Sequence, residues 1–424
     1  MPSYRMYWAN ETRFSPIADV MSRNRFEKLR SCFHINDNSK IKTRDHPEYD
    51  KLFKVRPFIE SLKQNFEKIE PEEHNAVDEI MIPCKSHTAL KQYIKSKPHK
   101  WGIKMFARAG ASGIVYDFDI YIGKGTTHEP SDLGISGDIV VKLAKNIPKN
   151  QNFKIYTDNY FTSFNLFTTL QQMGILSVGT VRTNRLKGLK FKEDKVMKTE
   201  GRGSYEHFTE ENKKVVAVKW FDNKGVTLLS TYVGLQPIEE VRRWSQTEKK
   251  YVHVPRPNIV KIYNMNMGGV DLNDMLVALY RTRIGVKRYY LKIFFHLMDI
   301  SIVNSWLLYR RDCRLHDITS YKKLVVFRSE IGHAFLQSLS KDRKRVGRPS
   351  SRESSPQLQR KRTVNPQPID DVRYDGREHW PVHIEPKQRC RSCQAYSRLA
   401  CEKCKIPLCL TKDRNCFKAY HIKS

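Results

Sequence analysis

The chain has 424 residues, with 76 Lys and Arg against 45 Asp and Glu and a formal net charge of +31. A hydrophobic fraction of 39%, with 20 Phe, 20 Tyr and 6 Trp, excludes a wholly disordered chain, and the length allows two or three domains. So large a basic excess points to a polyanionic partner, nucleic acid before an anionic membrane surface. No run approaches the length of an uninterrupted apolar span. The best candidate, Ile293 to Tyr309, contains His296, Asp299, Ser301, Asn304 and Ser305 and reads as a buried helix, so no membrane partner is expected. The first residues lack the apolar segment of a signal peptide, and an intracellular, reducing location is expected.

The first ninety or so residues read as helical. Ile17, Val20, Met21, Phe26, Leu29 and Phe33 form a rough helical stripe, interrupted at Ser22 and ended by Asn36-Asp37-Asn38. A second helix is predicted over Val55 to Ile69. The chain opens directly on this region, which reads as a shortened N-terminus. From Trp101 the pattern turns to strands. Ile103–Arg108 and Ile114–Ile122 flank a Gly-containing connector and predict a β-hairpin. A helix over Ile139–Lys145, a strand over Phe153–Thr157, a helix over Ser163–Met173 and a strand over Ile175–Thr180 follow. This succession predicts an α/β core with a mixed sheet.

Residues 183–258 are polar and interrupted, with strand-like pieces at Val215–Trp220 and Thr227–Tyr232, and read as an insertion with its own small β structure. Helices are predicted over Val270–Arg281, Tyr289–Asp312 and Tyr321–Leu339. Lys341–Val364 carries nine Lys/Arg and two acids and reads as a basic linker. Within it, Gly347-Arg348-Pro349 could lay an Arg into a narrow minor groove, and the clusters around Lys344-Arg345 and at Arg360-Lys361-Arg362 resemble nuclear-localisation signals. Arg281, Arg283, Lys287, Arg288 and Lys292 surround Tyr289-Tyr290 and are candidate phosphate contacts. A solvated charged surface is the alternative for both patches.

Six of the nine cysteines lie between Cys390 and Cys416. Cys390-x2-Cys393, Cys401-x2-Cys404, Cys409, Cys416 and His421 suit tetrahedral Zn²⁺, because thiolates and imidazole are its preferred donors and a two-residue spacer turns both thiols of a knuckle toward one ion. Two ions need an eighth ligand, for which His379, His383 and Asp413 are candidates. A RING-like cross-brace is expected, with Cys390, Cys393 and Cys409 at one ion and Cys401, Cys404, Cys416 and His421 at the other. The module carries ten Lys/Arg against three acids, which tilts it toward DNA.

Acidic residues stand at element ends. Asp158 follows an apolar strand, where an RNase H-like nuclease holds a metal. Asp271 and Asp274 open a helix and share one face of its first turn. A hard cation such as Mg²⁺ wants such oxygen ligands. The bland alternative is a turn at Asp158 and two acids favouring a helix N-terminus.

Taken together, these stretches resemble the piggyBac transposase family over nearly the whole chain. The resemblance is carried by Met21–Phe26, Phe33–Asn38, Val77-Asp78-Glu79-Ile80-Met81-Ile82-Pro83 and Lys97–Lys104. It is most specific at Thr157-Asp158-Asn159-Tyr160-Phe161-Thr162-Ser163, Val178–Arg182 and Tyr263-Asn264 through Met267-Gly268-Gly269-Val270-Asp271, and it includes the Cys-rich tail. It implies an α/β RNase H-like (DDE transposase-type) core with an insertion domain, flanking helices and a C-terminal zinc module. The expected boundaries are a helical N-terminal dimerisation and DNA-binding region at 1–95, core at 96–185 and 259–340, insertion at 186–258, basic linker at 341–375 and zinc-binding domain at 376–424.

The resemblance implies cut-and-paste transposition of double-stranded DNA at TTAA, acting on terminal repeats, with Mg²⁺ or Mn²⁺ on three aspartates, a nuclear location and a homodimer. Asp158 matches the second aspartate, Asp271 the third, and Asp274 an accompanying acid. The first is expected at the end of the strand after Lys97–Lys104, where Gly110 or Ala111 stands instead; the nearest acids are Asp117 and Asp119. A degenerate catalytic site on a DNA-binding, transposase-derived protein is therefore the leading expectation. A working transposase with a relocated first acid and a RING-like protein-interaction module on an inactive scaffold are the alternatives.

Overall fold

The computed structural model describes residues 3–95, 97, 99–126, 131–186, 188–338 and 368–422. The chain divides into two compact units, Met1–Lys344 and Arg345–Ser424.

The first unit begins with α1 (Ser15–Ala18), α2 (Arg23–Cys32) and α3 (Arg56–Phe66). Ser22, which breaks the apolar stripe, caps α2 by accepting from Arg25 N at 3.3 Å. Strands β1 (His74–Pro83), β2 (Lys91–Tyr93), β3 (Trp101–Gly110) and β4 (Val115–Ile120) follow, then α4 (Gly134–Ala144), β5 (Lys154–Thr157), α5 (Phe164–Gln172) and β6 (Leu176–Thr180). Next come α6 (Asp194–Glu200), β7 (Tyr205–Glu210), β8 (Val215–Phe221), β9 (Gly225–Ser230) and the hairpin β10 (Glu239–Ser245) with β11 (Lys250–Arg256). Helices α7 (Asn258–Asn266), α8 (Gly269–Leu279), α9 (Tyr289–Leu315) and α10 (Leu324–Ser338) complete the unit.

One nine-stranded sheet runs in the order β2-β3-β1-β5-β6-β9-β8-β7, with β4 also on β3. The pairs β1–β5 and β5–β6 are parallel and the others antiparallel, so the sheet is mixed, as expected. Its two faces bury different sets of side chains with the two-residue period of a strand. Ala76, Ile80 and Ile82 of β1 pack with Val270 and Val277 of α8 and Ile293 and Ile300 of α9. Val77 packs on the opposite face with Ile139 and Leu143 of α4 and Phe167 and Leu170 of α5.

Two boundaries differ from those expected. Residues 1–95 are not simply helical, because β1 is a central strand flanked by β3 and β5. Its sequence hides this: Asp78-Glu79 interrupts an apolar run that is otherwise buried on both faces. Residues 186–258 do not form a separate β unit either. β9 pairs with β6 through Val178↔Ser230, so β7 to β9 extend the main sheet, and the β10–β11 hairpin alone is a sheet of its own.

Helix α9 is long and apolar enough to cross a membrane, yet over half of that window is buried in protein. Its polar groups serve the interior, in keeping with their reading as core residues. Asn304 Oδ1 accepts from Val115 N at 3.0 Å and its Nδ2 donates to Val115 O at 2.7 Å, continuing the hydrogen bonding of β4. Asp299, almost fully buried, accepts from Thr282 N and Oγ1 and pairs with Arg328 at 2.5 Å.

The second unit contains α11 (Asp370–Arg373), an antiparallel pair β12 (Pro381–Arg389) and β13 (Tyr396–Cys401), and α12 (Cys416–His421). Its core is small and sulfur-rich: Cys390, Cys401, Cys404 and Cys409 with Ile406, Leu408 and Tyr420. Arg373 lies 3.9 Å from the Tyr420 ring centroid and donates to Tyr420 O.

Candidate functional site: an acidic cluster on the sheet and a Cys/His module

Asp158 stands immediately after β5, in a turn built by its own motif. Tyr160 N donates to Asp158 Oδ1 at 2.9 Å, Thr162 Oγ1 donates to Asp158 O at 2.8 Å, and Ser163 caps α5 by accepting from Leu166 N. The following strand is shaped to this turn. A Cβ at Gly179 would run into Thr162 Oγ1 and would meet Thr157 O at 2.7 Å. Arg182 Nε donates to Asn159 Oδ1 at 3.2 Å, and Arg185 donates to the carbonyls of Tyr160 and Thr162. Two of the three most specific sequence stretches thus build one corner.

The register Val77↔Thr157 of the parallel pair makes Asp78 and Asp158 the next residues on neighbouring strands. Carboxylate oxygens of Asp78, Glu79 and Asp158 lie within 4.8 Å of one another. Glu79 Oε2 is buried and, among the described residues, has no hydrogen-bond partner. Burial pushes the Asp78 carboxyl up to about 7, against the opposing pull of Lys97, and also raises Asp158. A donor set made only of oxygens, with one buried and unpartnered, fits a hard divalent cation.

Two lysines border the acids. Lys97 Nζ donates to Glu79 O at 3.1 Å. Lys104 Nζ sits 4.1 Å from the Tyr160 ring centroid and 4.6 Å from that of Phe106, and burial lowers its pKa while Glu79, Asp158 and Asp78 resist that lowering. Tyr263 of α7 is raised to about 12, first by burial and further by the charges of Asp158, Asp78 and Asp271.

Asp271 is exposed in the first turn of α8, outside the 4.8 Å group. That helix packs closely on the sheet, since a Cβ at Gly269 would run into the Gly110 carbonyl. Asp274 faces Arg281 at 3.6 Å instead, and burial raises its carboxyl.

No acid stands at Gly110 or Ala111, and the backbone there lies away from Asp78. Gly110 pairs with Asn75, three residues along the ladder from Asp78, roughly 10 Å. A side chain there would strike the Glu72 carboxylate at 2.6 Å. Asp117 pairs with Lys63 at 3.1 Å and Asp119 with Lys142, so neither turns to Asp158. The neighbouring carboxylate comes from β1. Asp78 and Glu79 are not among the candidates that the sequence suggests, although two acids inside an apolar strand are themselves a signal of a site.

Of the basic candidates, Arg281 is held by Asp274, and Arg288 donates weakly to Ser31 O at 3.4 Å. Arg283 and Lys287 are exposed. Lys344, Arg345, Arg348, Arg360, Lys361 and Arg362 lie outside the described residues.

In the second unit the eight candidate ligands form two sets. Cys390, Cys393, Cys409 and Cys416 make one; His379, Cys401, Cys404 and His421 make the other. Cys416 therefore groups with Cys390 and Cys393 rather than with His421, and His379, rather than His383 or Asp413, completes the second set. In chain order the sets interleave, as a cross-brace requires. Cys393 Sγ and Cys409 Sγ are 3.6 Å apart, His379 Nδ1 is 3.3 Å from Cys401 Sγ, and His421 Nε2 is 3.4 Å from Cys404 Sγ. A tetrahedron with metal–sulfur bonds of about 2.3 Å has edges of about 3.8 Å, so both sets are preshaped for one tetrahedral ion each. Burial pushes the Cys404 and Cys409 thiols up to about 12, whereas the Ala395 amide draws Cys393 down to about 7.

A family model described as "Transposase IS4" matches residues 1–306. The human PiggyBac transposable element-derived protein 3 is 29% identical over 416 residues, covering 96% of this chain and 65% of the relative. The human PiggyBac transposable element-derived protein 2 is 28% identical over 427 residues, covering 100% of this chain and 67% of the relative. The chain thus spans about two-thirds of the length of these relatives. A cryo-EM structure titled as a piggyBac transposase synaptic complex with hairpin DNA shares the fold, with a TM-score of 0.64 at 21% identity over 94% of this chain and 82% of that one. The chain belongs to the piggyBac transposase family.

Proposed function

We propose that this protein is a transposase-derived DNA-binding protein whose core retains a complete set of metal-binding aspartates, with Asp78 first, Asp158 second and Asp271 third. The observation that carries this reading is the grouping of Asp78, Glu79 and Asp158 oxygens within 4.8 Å. The expectation of a degenerate site rested on a missing first acid, and that premise falls once the acid is assigned to β1. The order β4-β3-β1-β5-β6, with β1 and β5 parallel, supports an RNase H-like core extended by β7 to β9.

In this reading Asp78 and Asp158 hold Mg²⁺ or Mn²⁺ from adjacent strand positions, and Glu79 supplies a further oxygen. An ion held there would supply charge for activating an attacking hydroxyl and steadying the leaving oxygen in phosphodiester cleavage. Gly269 sets the depth of α8 and so brings Asp271 to the sheet edge. Lys97 and Lys104 offset the acidic charge, and exposed Arg283 and Lys287 offer phosphate contacts. The Cys/His module would take two structural Zn²⁺ ions, and its basic surface would bind double-stranded DNA. Terminal repeats, a TTAA target, homodimerisation and a nuclear location are part of the same proposal, supported by family membership and the basic clusters of the linker.

The test is a nicking assay with purified full-length protein, Mg²⁺ or Mn²⁺, and duplex DNA bearing the terminal repeats of its parent element. Metal-dependent nicking lost in Asp78→Asn and Asp158→Asn supports the reading. A protein that binds DNA but never nicks, and takes up no ion at the acidic cluster, refutes it.

A further inference from the structure

Each histidine in the second Cys/His set has one ring nitrogen toward the sulfurs and one turned away. For His421 the inward atom is Nε2, and Nδ1 donates to the backbone carbonyl of Phe417 at 2.8 Å. For His379 the assignment is reversed. Nδ1 faces Cys401 Sγ at 3.3 Å and Cys404 Sγ at 3.5 Å, and Nε2 meets Asp375 Oδ1 at 3.0 Å. The His379 side chain is 8% exposed, so few waters could replace that partner.

Asp375 is itself tightly held. Its Oδ1 also accepts from Arg377 N at 3.0 Å, and its Oδ2 pairs with Lys403 Nζ at 2.5 Å. Lys403 lies inside the Cys401-x2-Cys404 knuckle and donates as well to Arg377 O at 3.1 Å. The carboxylate therefore joins the strand entry carrying His379 to the knuckle carrying the two thiols.

We propose that Asp375 is a positioning residue for the second metal set: it fixes His379 as the Nε2–H tautomer, aims Nδ1 at the ion, and raises the basicity of the imidazole. A carboxylate behind a ligating histidine has these effects on chemical grounds, and losing one costs on the order of 10–100-fold in metal affinity. His421 relies on a neutral backbone carbonyl within its own helix, so its orientation survives side-chain substitutions, whereas that of His379 depends on one replaceable carboxylate.

The inference rests on the two-ion reading of the module, and the experiment separates the two. Full-length protein, wild type, Asp375→Ala and Asp375→Asn, is stripped and titrated with Co²⁺, then with Zn²⁺ against a chelator. Thiolate-to-cobalt charge-transfer absorption distinguishes the four-sulfur set from the two-sulfur set. The expected result is two ions in the wild type, with the two-sulfur site weakened roughly 10–100-fold in Asp375→Ala, less in Asp375→Asn, which keeps an acceptor, and the four-sulfur site unchanged. The unchanged four-sulfur site also reports that the module still folds. In the wild type the His379 Nε2–H proton should be visible by NMR, and Asp375→Ala should lose it. Equal affinity in all three proteins, or equal weakening of both sites in Asp375→Ala, overturns the positioning role. A wild type that takes up no ion in the two-sulfur set overturns the two-ion reading itself.

Discussion

Asp78 and Asp158 project from neighbouring parallel strands at adjacent register positions, with carboxylate oxygens within 4.8 Å. Two carboxylates so close, one buried and one half-buried, repel each other unless a cation or a proton lies between them. If the cluster is catalytic, Asp78→Asn should cost roughly a hundredfold or more in metal-dependent nicking, and Asp158→Asn as much, because this chemistry depends on positioning. Asp117→Asn, which removes an acid paired with Lys63 on another strand, should leave nicking intact. Single-turnover nicking of the three variants checks this.

Asp78 also sets a pH dependence. Burial lifts its carboxyl from the ordinary 3.8 to about 7 in the metal-free fold. Between those values the folded state holds a proton that the unfolded state has released. The folded state's stability thus falls as pH rises through this window, with the contribution fully present below about 4 and gone above about 7. Asp78→Asn should lessen the fall, making the metal-free variant more stable than the wild type at pH 8 but not at pH 4, with the remaining fall left to Asp158 and Asp274, which burial also raises. Denaturant midpoints at both pH values, with chelator present, measure this. Added Mg²⁺ should restore stability to the wild type alone.

Gly269 sits against the Gly110 carbonyl, with no room for a side chain. Gly269→Ala should push the first turn of α8 off the sheet and displace Asp271, costing roughly 1–3 kcal/mol of stability. Nicking should fall by more than the loss of folded protein explains. Nicking normalised to the folded fraction separates the two effects.

Asn304 satisfies both backbone groups of Val115 from within the α9 helix. Asn304→Leu leaves a buried N–H and a buried carbonyl unpaired, at about 1–3 kcal/mol each, so a loss of roughly 2–6 kcal/mol is expected. Urea unfolding with an unchanged slope would verify it. Ser305→Ala, one residue away on an exposed position, should change little.

The core of the second unit consists largely of candidate metal ligands. So few apolar residues do not stabilise a fold without the cross-link. Chelation should expose the amides of 368–422 to hydrogen exchange while those of the nine-stranded sheet stay protected. Protection of both regions after chelation would contradict a structural metal.

The amino-acid sequence by itself determined a good part of this. Apolar alternation marked β3, β4, β5 and β6, and 3.6-residue periodicity marked α3, α8 and α9, because those elements bury one face or one run without interruption. Paired CxxC spacings announced the metal module, since ligand chemistry is local. The Asp158 turn was legible for the same reason: its hydrogen bonds close within a few residues. Tertiary structure alone decided three things. It made β1 a central strand, although Asp78-Glu79 breaks its apolar run, because strands on both sides bury it. It assigned Cys416 and His379 to their sets, because interleaving is a matter of distance in space, not spacing along the chain. And it set Asp78 and Glu79 of β1, rather than an acid of β3, beside Asp158, because strand register, not position in the sequence, decides which acids stand together.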